Sequence, residues 1–280
     1  MWIKCWGTRG SIPVSGAQYN KYGGDTTCYE VRNADGQRII VDAGTGIRRL
    51  GKSMTAEDRA DCRLLFTHAH WDHLMGFPFF KPIYIPGTKI QAYGCPFAQQ
   101  SVEGMLSTPM EPPRFPVAYK DIAAEVTVHG YCDEPFYIGA LEISPILLSH
   151  PNQGIGYKFE EDGKTFVFLT DNELTYRHEN SRARDDYRDF AAGADLLVHD
   201  AEFTRDEYDT LTRTWGHSVW EDALQLALDA GVKQFGLCHH NQDRTDDQID
   251  AIVDACRTRV EQQDADLHCF AVATDDVMQL

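Results

Sequence analysis

The sequence lacks the features that would tie it to a membrane or to a long nucleic acid. No apolar run approaches the roughly 20 residues that span a bilayer. The opening Met1-Trp2-Ile3-Lys4-Cys5 has no secretory-signal pattern, so the expected address is cytoplasmic, with no membrane partner. Basic charge is scarce, with 26 Lys and Arg against 43 Asp and Glu, a net charge of -17 and a pI near 4.9. That balance repels a long polyanion, and no Lys/Arg-rich stretch offsets it, so large nucleic acids are not expected partners. The eight cysteines include no CxxC pair and no clustered framework, which predicts reduced and mostly buried thiols. Low-complexity segments are absent as well. What remains, 280 residues with 42% hydrophobic and 25% charged, suits one soluble domain spanning 1–280 with a full-sized core, two small domains being the alternative.

The densest chemistry lies in Thr67-His68-Ala69-His70-Trp71-Asp72-His73, which follows the apolar run Arg63-Leu64-Leu65-Phe66. Imidazole nitrogen and carboxylate oxygen are ligands for divalent metals, and three histidines with one aspartate at this spacing form a candidate metal site. On an extended or tightly turning backbone His68, His70 and Asp72 share one side, while His73 takes another position. One ion would take the two even histidines and a second would take Asp72 and His73. A histidine-rich surface loop is the plainer alternative.

Elsewhere the chain reads as strands and helices in alternation. Two hairpins are expected, one at 28–33 and 37–42 around Asn33-Ala34-Asp35-Gly36, the other at 155–159 and 165–170 around Glu161-Asp162-Gly163-Lys164. Asp42 closes the first hairpin and is a candidate to hold a neighbouring ligand by hydrogen bonds; a turn or capping role is the alternative. Weak strands are expected at 126–129 and 141–148, and further strands at 195–198, 234–238 and near 268–273. A helix capped by Ser218 with Glu221 and another capped by Thr245 with Gln248 complete the set. The segment 75–116 holds eight of the twelve prolines and several aromatics, a composition for an insertion that covers a site, forms a homodimer contact, or simply packs. Five apolar runs deliver a ligand-type residue at their C-terminal ends: His68, His150, Asp171, His199 with Asp200, and His239. Convergent strand ends are where α/β folds build sites.

In this order and context the residues resemble the metallo-β-lactamase superfamily, whose pattern is HxHxDH followed by a His, an Asp and a His, each after a strand. The resemblance covers the whole chain. It implies an α/β fold, an αββα sandwich of two mixed sheets flanked by helices. It implies one metal ion on His68, His70 and His150, a second on Asp72, His73 and His239, and Asp171 bridging both. Zinc is the first choice for the two divalent ions, and manganese or iron can occupy the same ligands. His239 is preferred over His240 because it sits directly at the strand end.

The opening Gly7-Thr8-Arg9-Gly10-Ser11-Ile12-Pro13, the stretch Asp42-Ala43-Gly44-Thr45-Gly46, and His199-Asp200-Ala201-Glu202-Phe203 with Trp215-Gly216-His217-Ser218 are similar to the phosphodiesterase branch, which includes ribonuclease Z, PhnP-like and cyclic-nucleotide phosphodiesterases. Ribonuclease Z carries a basic arm between the third histidine and the bridging aspartate; only twenty residues separate His150 from Asp171 here, which argues against tRNA processing. The expected function is hydrolysis of a small anionic phosphodiester, most simply a cyclic nucleotide, by a hydroxide generated between the two ions. His217 is expected as general acid, with Asp200 orienting it and keeping it charged, and Asp72 among the catalytic carboxylates. His199 is expected beside the site rather than in it, and His129, His178 and His268 on the surface or tied off in the core. Ribonuclease Z-like RNA processing, lactone or thioester hydrolysis, and a non-catalytic sensor on the same fold are the competing readings.

Overall fold

The computed structural model describes residues 1–56, 60–95 and 101–280. Its strands are β1 (Trp2–Gly7), β2 (Cys28–Arg32), β3 (Arg38–Val41), β4 (Cys62–Leu65), β5 (Lys89–Gly94), β6 (Glu125–Gly130), β7 (Phe136–Ile138), β8 (Leu141–Leu148), β9 (Gly154–Glu161), β10 (Lys164–Leu169), β11 (Leu196–Asp200), β12 (Gln234–Cys238), β13 (His268–Ala271) and β14 (Val277–Gln279). The α-helices are α1 (Ile47–Ala56), α2 (Trp71–Leu74), α3 (Val102–Ser107), α4 (Arg184–Phe190), α5 (Arg205–Glu207), α6 (Trp220–Ala230) and α7 (Asp246–Gln262).

Two seven-stranded mixed sheets result, ordered β14-β1-β2-β3-β4-β5-β6 and β13-β12-β11-β10-β9-β8-β7. Their inner faces meet in one apolar layer, where Ile3, Tyr29, Val31, Ile39, Val41 and Leu65 oppose Ile143, Ile155, Tyr157, Phe159, Phe166, Phe168 and Val198. Burial of this layer is the main cohesive term between the sheets. The outer face of the first sheet packs Ile40, Leu64 and Ile90 against Ile47, Leu50 and Met54 of α1 and Met105 and Leu106 of α3. On the other side Leu197, Phe235 and Leu237 meet Leu224 and Ala227 of α6 and Ile249, Val253 and Cys256 of α7. The αββα sandwich expected from the sequence is therefore the fold.

Both hairpins form where the turn residues placed them. In β9–β10, Asp162 and Gly163 take φ of 52° and 70°, the left-handed pair that a two-residue hairpin turn requires. Thr245 caps α7 reciprocally with Gln248. Ser218 does not cap α6: the helix starts at Trp220 after Val219, because the Ser218 hydroxyl is spent donating to the Asn172 carbonyl (2.5 Å) and accepting from the Leu174 amide (3.1 Å). The segment 75–116 contains β5, which pairs in parallel with β4 and β6 in the first sheet. The thiols are not all reduced. Cys95 and Cys132 form a disulfide just beyond the β5–β6 ladder, whose last pair is Gly94 with Gly130, so backbone register brings together two cysteines that spacing alone does not relate. The other six cysteines are free and buried. Among the described residues no helix is long and apolar enough to cross a membrane.

Candidate metal centre

Strand ends from both sheets meet at one rim. From β4 the chain runs through Thr67 and His68 to the short α2, which carries Asp72 and His73, and from the second sheet β8, β10 and β12 end in His150, Asp171 and His239. Asp42, Asp171 and His239 all adopt left-handed backbone just past a strand, with φ of 62°, 56° and 56°. Such conformations cost of order 1 kcal/mol or more each in non-glycine residues and persist where surrounding contacts dictate them.

The seven side chains sort into two groups. His68, His70 and His150 form one, and Asp72, His73, Asp171 and His239 the other; within each group the ligand-type atoms all lie within 4.8 Å of one another. His150 Nε2 stands 3.0 Å from His70 Nδ1. His73 Nε2 is 3.3 Å from both Asp72 Oδ2 and Asp171 Oδ2, and His239 Nε2 is 3.1 Å from Asp72 Oδ2 and 3.3 Å from Asp171 Oδ1. Asp171 also reaches toward the first group, 3.7 Å from His68 Nε2 and 4.0 Å from His150 Nε2. It thus lies between the two groups. His240 points elsewhere: its Nε2 meets the Val272 carbonyl at 2.9 Å, and burial pushes it down to about 3.

Partners behind the rings fix their orientation. Asp42 accepts hydrogen bonds from the Thr67 amide and hydroxyl, each at 2.8 Å, and from His73 Nδ1 at 2.7 Å. Glu202 holds His239 Nδ1 at 2.8 Å and accepts from Asn241 at 2.9 Å. The Ser11 amide of the opening loop donates to Asp72 at 2.9 Å. Gly216 offers its carbonyl to His150 Nδ1 at 2.9 Å; its φ is 95°, and a Cβ there would lie 2.1 Å from that nitrogen, so only glycine fits. The Gly216 amide and the Thr214 amide are in turn held by buried Glu173, both at 2.8 Å. His199, fully buried, is tied to the Asp200 carbonyl and the Asn172 side chain and joins neither group. His178 bonds Glu173 and His268 is exposed.

His217 sits against both groups, its ring stacked on His239 with centroids 4.6 Å apart. Its Nδ1 faces three carboxylates, Glu202 at 3.4 Å and Asp171 and Asp200 at 3.8 Å. Glu202, rather than the expected Asp200, is the nearest. Asp200 is committed to the backbone, accepting from the amides of Ser218 (2.7 Å) and Asn172 (2.6 Å).

The electrostatics are those of a cation site. Burial pushes His68 and His150 well below the ordinary imidazole range, and His70 lower too, so all three stand neutral. Burial also opposes charge on His73 and His239, but Asp72 and Asp171 outweigh it and hold both well above that range. The same pairs hold Asp72 and Asp171 well below the carboxylate range against a desolvation that would raise them. His68 Nε2 and His73 Nε2 are buried without a hydrogen-bond partner. An unsatisfied buried nitrogen costs about 1–3 kcal/mol, and a bound ion would remove that cost. Donor set, orphaned nitrogens and buried carboxylates all fit two divalent cations, and the two groups are consistent with a dinuclear site.

A family model described as the beta-lactamase superfamily domain matches residues 37–240. The chain belongs to this superfamily. Among the proteins to which this superfamily member is similar is ribonuclease Z of Bacillus cereus (strain B4264), 23% identical over 273 residues, covering 83% of this chain and 86% of that protein. The metallo-beta-lactamase fold protein YhfI of Bacillus subtilis superposes with a TM-score of 0.71 at 18% identity, covering 99% of each chain. A diphosphatase of the PhnP family does so with a TM-score of 0.68 at 17% identity, over 100% of this chain and 97% of that one. At such identities the structural likeness speaks for the fold. Family, fold and the paired His/Asp groups together make this superfamily member a metal-dependent hydrolase of the metallo-β-lactamase fold.

Proposed function

We propose that this protein hydrolyses a small phosphodiester, with a cyclic nucleotide as the leading candidate, and that a folded RNA is not its substrate. The observation that carries the reading is the placement of His217: a protonatable ring beside both ligand groups, its Nδ1 edge turned to Glu202, Asp200 and Asp171. Cleavage of a phosphodiester expels a strongly basic alkoxide, and proton donation to it by a positioned acid contributes roughly 10²–10⁴-fold. Lactone and thioester hydrolysis have less need of such a group.

In this reading His68, His70 and His150 would hold one ion and Asp72, His73 and His239 the other, with Asp171 placed between the two groups. Two divalent ions, zinc or else manganese or iron, would polarise a phosphoryl oxygen and lower the pKa of water. The chain's own part is separable from that. Asp42 and Glu202 fix the rings of His73 and His239 from behind. Glu202 and Asp200 favour the imidazolium of His217, which burial alone would disfavour, and without ions it is pushed up to about 9. With Nδ1 facing these carboxylates, Nε2 is the atom that gives its proton to the departing oxygen. The ribonuclease Z likeness supports phosphodiester chemistry, while the net charge of -17 disfavours a long polyanion as substrate.

The test is metal analysis followed by turnover of 2′,3′- and 3′,5′-cyclic nucleotides, cyclic dinucleotides, a lactone, a thioester and pre-tRNA. Turnover of the lactone alone would overturn the reading. His68→Ala should lose metal. His217→Ala should keep it and lose about 10²–10⁴-fold on alkyl diesters, with a much smaller loss on p-nitrophenyl esters, whose leaving group needs no proton. Since His217 also completes a group with His150 and Asp171, loss of metal in His217→Ala would recast it as a ligand. Equal losses on both esters would remove it from the acid role.

A further inference from the structure

Three residues that flank the ligand candidates in sequence, Ala69, Trp71 and Leu74, line a half-open pocket of about 210 Å³ together with Met105, Thr108, Pro109 and Arg114. One wall is the chain that carries His70 and Asp72; the opposite wall is α3 and the turn after it. Trp71 is the odd residue of α2. Asp72, His73 and Leu74 are buried, whereas the indole is 62% exposed. An indole in water forgoes a large burial gain, and here it stands one residue from two ligand candidates. Met105 and Leu74 offer buried apolar surface, and Pro109 is half-buried. Among the described residues Arg114 is the pocket's one charged residue, and its guanidinium meets only the exposed Glu111 carboxylate, at 3.4 Å, a contact that is cheap to give up. The volume is below the roughly 300–1,000 Å³ of pockets that enclose a drug-sized ligand, so it suits one ring system rather than a whole substrate.

We infer that this pocket seats the nucleobase of the substrate, the ring stacking on Trp71 between Met105 and Pro109 while Arg114 donates to acceptors on the ring edge. The assignment rests on the phosphodiester reading and narrows it to nucleoside-bearing diesters. Aromatic stacking is worth about 1–3 kcal/mol per base, and an arginine fork matches the O6 and N7 acceptors of guanine. The ring is then held beside the metal centre, with the phosphate reaching the rim. An aliphatic diester would leave the indole exposed and the guanidinium without an acceptor.

Equilibrium binding by titration calorimetry tests this without requiring turnover, with guanosine 5′-monophosphate and ribose 5-phosphate as probes with and without the base. The wild-type protein should prefer the nucleotide by roughly ten- to a hundredfold. Trp71→Ala should remove most of that preference, Trp71→Phe should keep it, and Arg114→Ala should reduce it. Metal content is measured in each variant. If Trp71→Ala disturbs the adjacent ligands, Arg114→Ala decides, since Arg114 is exposed and remote from them in sequence. Equal binding of the two probes by the wild type, or an unchanged preference in Arg114→Ala, would overturn the assignment. A base preference that depends on Trp71, in a protein that hydrolyses no diester, would sink the phosphodiester reading and leave the nucleobase pocket standing. Diester turnover with no base preference would do the reverse.

Discussion

Asp42 shows how one residue away from the ligands can set their geometry. Its carboxylate is buried, takes two hydrogen bonds from Thr67 and one from His73 Nδ1, and so fixes which nitrogen of His73 faces Asp72 and Asp171. Asp42→Asn keeps the size but can satisfy only part of this set. The expected result is metal affinity weakened about 10- to 100-fold with the fold retained, read by chelator competition; unchanged affinity would reduce Asp42 to a turn residue. The ligand-type residues themselves were legible in the sequence, because imidazole and carboxylate groups recur at the ends of apolar runs. Glu202 was not singled out as a partner, since an acid two residues beyond His199-Asp200 looks like any loop carboxylate until burial and the 2.8 Å contact with His239 appear. The same holds for Gly216, whose carbonyl is a partner of His150 only because β8 and the loop before α6 converge.

At the scale of elements, legibility followed turn chemistry. Asn33-Ala34-Asp35-Gly36 and Asp162-Gly163 announce their hairpins through residues that tolerate positive φ. Lys89–Gly94 announces nothing, because it sits among prolines and gains its strand conformation from pairing with β4 and β6 rather than from its own signals. The three-residue edge strands β7 and β14 are too short to carry a pattern. The disulfide between Cys95 and Cys132 was equally hidden, for the ladder of β5 and β6 creates the proximity. It closes a loop with a sequence separation of 37, and that loop includes α3 and the pocket wall with Met105 and Arg114. On the chain-entropy account, closing a loop of this length stabilises the fold by about 3–4 kcal/mol. Cys132→Ser, or reduction of the wild-type protein, should therefore lower the denaturant midpoint by the corresponding amount. Coincident unfolding curves under oxidising and reducing conditions would show the bridge to be thermodynamically idle.

The molecule as a whole gathers five buried carboxylates, Asp42, Asp72, Asp171, Asp200 and Glu202, around one rim while its net charge is already -17. Cations must balance them, and the chain has two sources: divalent ions or protons on its own histidines. Without ions, His73 and His239 stand well above the ordinary imidazole range, and His217 rises to about 9; in each case burial lowers it but the carboxylates prevail. A histidine whose pKa is higher folded than unfolded contributes stability that is complete below its unfolded value near 6.5 and is lost as pH rises through the folded value. Protein treated with chelator should thus lose stability between about pH 6.5 and 9. Metal-loaded protein is spared, because ions that bind the folded state alone stabilise it and the ligands they need are the deprotonated rings. Thermal unfolding across this range, with and without chelator, should give melting temperatures that diverge as pH rises. Two parallel curves would mean that the rim histidines are neutral in the metal-free protein and that its carboxylates are balanced by something other than the imidazolium rings of His73, His217 and His239.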